Sequence, residues 1–554
     1  MKLNILCGDL FSVACDAYVN PTDVRLSGSG GLDRQIHLRA GRALEEECAA
    51  LRDKMTEGCT RVTTGGDLPV KYVLHTACSK CAEEQNGSYD RLSSCYTAML
   101  RQADLRKDIR HLAIPPVGTG VAGYSLISPC YANTDFSLTA VTMLSALLSC
   151  RLSNLETVTL VCSSREKYDA LFRTYDWIRG KGLDKRERIH GSLLGGAIGD
   201  ALGYPVEFDG AERARISEYI LDEKTGKAVI SDDTQMTLFT ACGLLYGHTR
   251  WCGKGIGGEL WNYIAFAYQD WLNTQQPDFL SNETKHDHPV SWIRSLPELN
   301  VCRAPGMTCL SALQAGGGSL EKPLNNSKGC GGVMRIAPIP LYIPLHTNLG
   351  KEYNMNACAQ AAAITHGHLL GWLSAAALGN ILYNIMNNLS LAYAVRDTVL
   401  MLRTHYAEYP DTERMIRLIE KAETLAKEAK QSKEKDLIKA FDITNSLGEG
   451  WVGEEALAVG LFCALACGEE SFDACVCNAV GHKGDSDSTG SIAGQIWGAY
   501  YGVSAIPGKW FPDLELREVI EEIAEDLAGG CQVSEYGSHH DPEWIRKYVF
   551  CKEK

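Results

Sequence analysis

Strand-like segments are concentrated before about residue 180, and this change from mixed to helical patterns constrains the fold more than any other feature of the sequence. Helical patterns alternate there with short β-rich runs, which lie at 3–6, 71–76, 111–117 and 157–162. Beyond that point strand signals nearly vanish, and apolar residues recur every three or four positions through 361–385 and 413–430. The sequence therefore predicts an α/β layered domain followed by a nearly all-α domain.

The length of 554 residues agrees with this division, because it exceeds what one hydrophobic core usually supports. A polar, glycine-containing segment, RGKGLDKRER at 179–188, is the expected linker. We therefore expect a first domain over 1–178 and a second over 189–554.

Charge and apolar patterning exclude several classes of partner. A formal net charge of −14, with no basic run beyond KRER at 185–188, offers nothing to nucleic acid or to acidic membranes. No apolar run approaches the ~20 residues that span a bilayer, and the start of the chain does not resemble a secretory signal. We expect a cytoplasmic protein whose 22 cysteines are reduced. The sequence carries no signal for its oligomeric state.

Two acidic clusters in the second half are candidates for a metal site. SDDT, at 231–234, and GDSDSTG, at 484–490, each precede a helical run of small or apolar residues. Helix capping is the simpler interpretation, but one cap needs only one such side chain. Hard oxygen ligands at this density suit a divalent cation, which two helix starts could hold between them. A small-residue helix at 195–208 leads to a further acid, Glu207.

Three glycine-containing loops in the first half are candidates for an anion site. GDL at 8–10, VNPTDVRLSGSGGLD at 19–33 and PVGTGVAGY at 116–124 are placed where an α/β sheet holds ligands, just after strand ends. Each alone is typical of an ordinary turn. Together they can aim backbone N–H groups at a pyrophosphate, which an acidic protein would otherwise repel.

Residues 1 to about 177 resemble a macrodomain, an ADP-ribose-binding module, in these same three loops. The resemblance implies an α/β/α fold with a mixed sheet, in which Asp9 meets the adenine and the loops at 28–33 and 117–122 embrace the diphosphate and distal ribose. Asp23 stands where catalytic macrodomains have a second asparagine, and Ser29 interrupts the glycines, so ligand binding is expected, whereas hydrolysis by this half does not follow from the resemblance. The expected ligand-binding residues are Asp9, Leu10, Asn20, Asp23, Gly30, Gly31, Asp33, Gly118, Thr119, Gly120, Val121 and Tyr124.

Residues from about 188 to 505 resemble the ADP-ribosylglycohydrolase family, an all-α orthogonal bundle with two Mg²⁺ ions. The resemblance rests on GGAIGDALG, SDDTQM, SKGCGGVMRIAPI, ITHGHLLGWLSAAAL and GDSDSTGSIAGQIWGAYYG. It implies metal ligands at Ser231, Asp232, Asp233, Asp485, Asp487 and Ser488, with Mn²⁺ as an alternative ion. The four aspartates and Glu207 are the implied catalytic residues. The resemblance implies that the diphosphate binds at Gly329, Cys330, Gly331 and Gly332 and that substrate lies near His366. The alternative interpretation of His366 is a helical histidine whose hydrogen bonds are satisfied within the protein.

The SDDT and GDSDSTG forms are most similar to the family branch that cleaves ADP-ribosyl-arginine. We therefore expect a Mg²⁺-dependent hydrolase that releases ADP-ribose from arginine on modified proteins, its partners being that protein and ADP-ribose. Three alternatives stay open. The macrodomain could be a second hydrolase for carboxylate-linked or acetylated ADP-ribose, the whole chain could be a non-catalytic reader, or the linkage cleaved could be to serine or a nucleobase.

Overall fold

The structure is a computed structural model that forms two compact units, Met1–Arg179 and Gly180–Lys554. It describes residues 1–78, 88–120, 122–126, 136–150, 152–208, 216–255, 257–275, 289–432, 436–469, 471–535 and 540–552. No cysteine in these ranges forms a disulfide.

The first unit is built on a six-stranded mixed sheet, as the macrodomain resemblance predicts. Its strands are β1 (Lys2–Cys7), β2 (Ala17–Thr22), β3 (Thr60–Thr64), β4 (Tyr72–Ala77), β5 (His111–Ile114) and β6 (Thr157–Cys162). Their order is β1-β6-β5-β2-β4-β3, and β3 alone runs antiparallel to its neighbour. The carboxyl ends of β1, β2 and β5 therefore share one edge, from which the three glycine-containing loops leave.

Strand β2 is not among the four β-rich runs found in the sequence, because its second half reads as part of a loop. It contains Pro21, which cannot donate a hydrogen bond to a sheet. Pairing explains how the proline is tolerated: β2 meets β5 only at Ala17 and Tyr18, so at Pro21 it pairs with β4 alone. The edge of the sheet is thus open where the ligand loop begins.

Among the residues that the structure describes, this unit also contains the helices α1 (Gly31–Ala40), α2 (Arg42–Leu51), α3 (Ser88–Asp104), α4 (Leu138–Ser149) and α5 (Arg165–Ile178). Apolar side chains of α1 and α2 pack on the sheet. Ile36 and Leu44 are buried there against Tyr18 and Val73.

The second unit is helical, as predicted. Its helices are α6 (Lys185–Gly203), α7 (Asp232–Lys254), α8 (Leu260–Gln275), α9 (Met307–Gln314), α10 (Pro338–His346), α11 (Lys351–Ala363), α12 (Leu369–Met386), α13 (Leu391–His405), α14 (Thr412–Gln431), α15 (Leu437–Ala440), α16 (Ile443–Leu447), α17 (Gly453–Ala466), α18 (Phe472–Val480), α19 (Ser486–Tyr501), α20 (Arg517–Gly529) and α21 (Pro542–Tyr548). Within its described residues, β pairing is limited to isolated bridges such as Gly329 with Val452.

Two local expectations need correction. The continuous helical pattern at 361–385 is interrupted between Ala363 and Leu369, where the Asn325 side chain donates to the Thr365 carbonyl oxygen at 2.8 Å and accepts from the Gly367 N–H at 3.1 Å. Helix α6 also begins at Lys185, inside the expected linker, because Asp184 caps it by accepting a hydrogen bond from the Arg186 N–H.

Helix α12 meets the length and apolar composition of a membrane span, so the expectation that no apolar run approaches that length was wrong. However, 89% of this apolar helix is buried inside the protein. Its composition is that of a core helix enclosed by other helices of the unit.

Helices α6 and α19 pack unusually closely, and this contact positions the candidate site. Glycines at every fourth position of α6 face α19. A Cβ added at Gly191, Gly195 or Gly199 would lie 2.2, 2.5 or 2.0 Å from a glycine carbonyl oxygen of α19. At the end of α6, a Cβ on Gly203 would lie 2.4 Å from the Ser486 carbonyl oxygen. Only glycine allows the two backbones to approach this closely.

Candidate active site

Two helix N-termini, each carrying one of the two acidic clusters, converge in the second unit. Ser231 caps α7 by accepting from the Asp233 N–H at 3.1 Å, and Asp485 caps α19 by accepting from the Ser488 N–H at 3.2 Å. The Ser488 hydroxyl then donates to Asp233 Oδ2 at 3.1 Å, across 255 residues of sequence. Capping accounts for one side chain in each cluster, and the other carboxylates remain available for another task.

The carboxylates form a compact, buried group. Oxygen atoms of Glu207, Asp485 and Asp487 lie within 4.8 Å of one another. Asp232, Asp233, Asp485 and Asp487 are 2–6% exposed. Such a concentration of negative charge away from water is unfavourable unless the groups are protonated or a cation lies among them.

The pKa values show how strongly these groups disfavour ionisation in the absence of a cation. Burial, followed by Asp487 and other neighbouring carboxylates, raises the pKa of Glu207 to about 9. Burial and the Asp487 charge hold the pKa values of Asp232 and Asp233 well above their usual range, and burial and Asp485 do the same for Asp487. Burial also raises the pKa of Asp485, to about 6.

The donor set fits a divalent cation. Asp233 Oδ1 is buried and has no hydrogen-bond partner among the residues that the structure describes. Carboxylate and hydroxyl oxygens are the donors that Mg²⁺ and Mn²⁺ prefer. The residues able to offer such atoms are Ser231, Asp232, Asp233, Asp485, Asp487, Ser488 and Glu207.

Asp200 is a buried acid of this region that the sequence analysis did not single out. Its carboxylate accepts hydrogen bonds from the Ser231 N–H at 3.0 Å, from the Thr234 N–H at 3.0 Å and from the Thr234 hydroxyl. It therefore fixes the turn that carries Asp232 and Asp233. A charged residue in the otherwise small and apolar GGAIGDALG was the available signal.

The SKGCGG loop lies directly beside the carboxylates. The Cys330 thiol donates to Asp485 Oδ2 at 2.7 Å, and the Cys330 N–H donates to the Trp451 carbonyl oxygen at 3.2 Å. Gly329, Cys330, Gly331 and Gly332 form a short turn with small side chains. The bond from Cys330 to Asp485 therefore places this turn directly beside the acidic group.

His366 packs against this loop and does not lie in a helix. A Cβ added to Gly329 would lie 3.1 Å from His366 Nε2, and one on Gly331 would lie 3.0 Å from Cε1. Burial, and secondarily Arg335, lowers the pKa of His366 to about 3, so the ring is neutral. Its Nδ1 shares a hydrogen bond of 2.8 Å with the Thr365 hydroxyl. The histidine is satisfied on one side and faces the glycine loop on the other.

In the first unit, the expected ligand residues divide into loop and core positions. Asp9 accepts from the Phe11 N–H at 3.2 Å at an exposed turn, whereas Leu10 is buried. Asp23 accepts from the Arg25 N–H at 2.8 Å and from the Ser27 hydroxyl at 2.6 Å, so it stabilises its own loop. These bonds, opposed by partial burial, lower its pKa.

Asn20 and Asp33 belong to a buried network beneath that loop. The Asn20 amide donates to Asp33 Oδ1 at 2.7 Å and lies 3.1 Å from His75 Nδ1. His37, Cys48 and His75 place potential metal-binding atoms within 4.8 Å of one another. Both ring nitrogens of His75 already have hydrogen-bond partners, Nε2 being 2.9 Å from the Thr63 hydroxyl, so the cluster is explained as a structural network.

The remaining expected ligand residues lie on two glycine loops at the same sheet edge. Gly30 caps α1 and Gly31 begins it. Gly118 has a φ of 89°, and a Cβ there would lie 3.0 Å from the buried Tyr124 ring. The Thr119 hydroxyl closes this loop by donating to the Pro116 carbonyl oxygen at 2.8 Å, and Gly120 is exposed. Val121 lies outside the described residues.

Comparison with known proteins identifies two families. The ADP-ribosylglycohydrolase model matches residues 182–537, more than half of the chain, and the Macro domain model matches 19–128. A macro domain-containing protein of Cupriavidus necator is 32% identical over 30% of this chain and 92% of its own length. The human ADP-ribose glycohydrolase MACROD2 is 37% identical over 22% of this chain, which spans only 29% of that protein.

A solved ADP-ribosylglycohydrolase-related protein complex covers 62% of this chain and 98% of its own, with 22% identity and a TM-score of 0.42. The two family matches together support ADP-ribose binding and hydrolysis as the general activity. The chain therefore belongs to the ADP-ribosylglycohydrolase family and carries a macrodomain before its glycohydrolase region.

Proposed function

We propose that the second unit is a divalent-cation-dependent hydrolase that releases ADP-ribose from arginine side chains of modified proteins. The hydrogen bond between Ser488 and Asp233 is the observation that carries this proposal, because it brings the two acidic clusters into one group. The buried, unpartnered Asp233 Oδ1 further supports a cation, two Mg²⁺ ions or Mn²⁺ in their place. The arginine linkage rests on the similarity of SDDT and GDSDSTG to one branch of the family.

The reaction replaces the bond between ribose C1 and a guanidine nitrogen with a bond from C1 to a water oxygen. Bound cations would orient the ribose hydroxyls and lower the pKa of a bound water. One of the carboxylates, or Glu207, would accept the proton that the water loses, while the guanidine nitrogen gains one. Holding sugar and water together supplies much of the rate enhancement, because it removes the entropic cost of their encounter.

The test is hydrolysis by the full chain of arginine-, serine-, glutamate- and DNA-linked ADP-ribose, with and without a chelator. We expect release from arginine that a chelator abolishes and Mg²⁺ restores. Asp487→Asn should lower the rate by about 100-fold or more. Asp541→Asn is the control, since Asp541 also lies at a helix N-terminus, that of α21, but outside the acidic group. Full activity of the Asp487 variant would refute the assignment.

We further propose that the macrodomain binds ADP-ribose without cleaving it. Asp23 is turned into its own loop and Asn20 into the core, which leaves neither as a free catalytic group. The alternative, a second hydrolase, can be tested in the full-length Asp487→Asn chain. Residual cleavage of carboxylate-linked or acetylated ADP-ribose by that variant would favour the alternative.

We also propose a cytoplasmic location, which the free thiols of the described residues support.

A further inference from the structure

Two large aromatic side chains stack on the surface of the second unit. Phe208 is 73% exposed and Trp451 is 39% exposed. Their ring centroids lie 6.1 Å apart, and the ring planes are inclined by only 23°. Exposed aromatic faces in this arrangement are costly to keep in water and are typical of a recognition surface.

The backbone places both rings beside the acidic group. Phe208 directly follows Glu207 in the chain. On the other side, the Asp485 N–H donates to the Glu449 carbonyl oxygen at 2.9 Å. A Cβ added to Gly450, the neighbour of Trp451, would lie 3.4 Å from Asp485 Cβ. Phe208 is thus the sequence neighbour of one acid of the group, Glu207. Trp451 follows Glu449 and Gly450, which both lie against Asp485.

The position of the two rings beside the acidic group favours contact with one part of the substrate, the leaving group. If the acidic group acts on ribose C1, the leaving group must lie next to it, whereas the adenine lies at the opposite end of ADP-ribose. A guanidinium is flat and cationic, and it binds well to aromatic faces, particularly to tryptophan. The neighbouring carboxylates favour the same positive charge. An alkyl alcohol such as serine has neither property.

We propose that Phe208 and Trp451 form a cation-binding pair that receives the arginine guanidinium and so determines linkage specificity. This inference rests on the proposed function of the acidic group. The exposed faces and edges of the two rings are where the planar cation would bind. Neither residue would take part in bond cleavage; the pair would position the leaving group.

The first experiment measures binding directly and does not require catalysis. Methylguanidinium and the uncharged N-methylurea are titrated by ligand-observed NMR into the full chain containing Mg²⁺ and ADP-ribose. We expect methylguanidinium to bind at least about fivefold more tightly. Trp451→Leu should abolish that preference and Trp451→Phe should retain most of it. Trp261→Leu, at a half-buried tryptophan of α8, is the control and should leave the preference unchanged. Equal binding of the two probes by the unsubstituted chain would overturn the proposal.

The second experiment separates the linkage from the nucleotide. Phe208→Leu and Trp451→Leu should each lower kcat/KM for arginine-linked ADP-ribose by roughly 3- to 30-fold. Cleavage of serine-linked ADP-ribose should change by less than about twofold. Equal losses on both substrates would show that the pair holds ADP-ribose itself and would overturn the inference. Absence of arginine cleavage by the unsubstituted chain would refute the proposed function alone, since the titration decides independently whether the pair binds guanidinium.

Discussion

Replacing Gly199 with alanine tests whether the close contact of α6 and α19 positions the active site. The added methyl group would lie 2.0 Å from the Gly490 carbonyl oxygen and 2.3 Å from its carbon. Because carbon atoms in contact need about 3.5 Å, the helices would have to move apart by roughly 1 Å. Both clashing atoms belong to the backbone, so no side chain can rotate away to relieve the strain.

The expected change in the free energy of unfolding follows from two opposing effects. Overpacking of a core costs about 1–3 kcal/mol, whereas alanine stabilises a helix interior by about 1 kcal/mol relative to glycine. We expect a net loss of up to about 2 kcal/mol, which for a unit of this length lowers the unfolding midpoint by up to roughly 3 °C. A displacement of about 1 Å would also lower the rate by about 100-fold, because α19 carries Asp487 and Ser488.

Thermal unfolding and hydrolysis of arginine-linked ADP-ribose, both on the full chain, measure these effects. Gly508→Ala is the matched control, since a Cβ at that position would have no atom within 4 Å. It should change stability by less than about 0.5 kcal/mol. A Gly199→Ala protein with an unchanged midpoint and rate would mean that the two helices do not depend on this contact.

Three further predictions concern buried polar groups. Asp200→Asn should lower activity at least about 10-fold by loosening the turn at Asp232 and Asp233, with Asp397→Asn, a buried aspartate elsewhere in the unit, as control for general destabilisation. Burial and His346 lower the pKa of His248 to about 4, so the folded chain stays neutral there while the unfolded chain binds a proton below about pH 6.5. The contribution of His248 to the free energy of unfolding should therefore be full above pH 6.5 and fall toward pH 4, by up to about 1.4 kcal/mol per pH unit. His248→Gln should remove this loss, which is measured from denaturant midpoints at pH 7 and pH 5. Asn20→Ala should destabilise the macrodomain by about 1–3 kcal/mol in thermal unfolding, because Asp33 and His75 lose their shared donor; an unchanged midpoint would contradict the network described.

The two fold classes could be predicted from the sequence because hydrophobic periodicity is local information. Strand β6 and helix α14 follow directly from their patterns. The missed strand β2 and the interrupted helix at 361–385 depend instead on partners distant in sequence. Pro21 is tolerated because β5 pairs with β2 only at Ala17 and Tyr18, and Gly367 is required because Asn325 lies against it.

The candidate site was predictable in its residue types and less so in its arrangement. The two acidic clusters could be found from their composition, but the bond from Ser488 to Asp233 exists only in the folded chain. The role of Asp200 could not be inferred, because its partners lie 31 and 34 residues further along the chain. The stacking of Phe208 on Trp451 likewise joins segments that no local pattern connects.

The separation between Asp233 and Ser488 also has a consequence during protein synthesis. A ribosome must translate α19 before the two halves of the acidic group can meet, so a nascent chain that stops short of Ser486 would hold one half alone. Contacts of such long range close late in folding, because the intervening loop must first be ordered. Activity of this unit should therefore emerge only after α19 has been made, whereas the macrodomain can mature while translation continues.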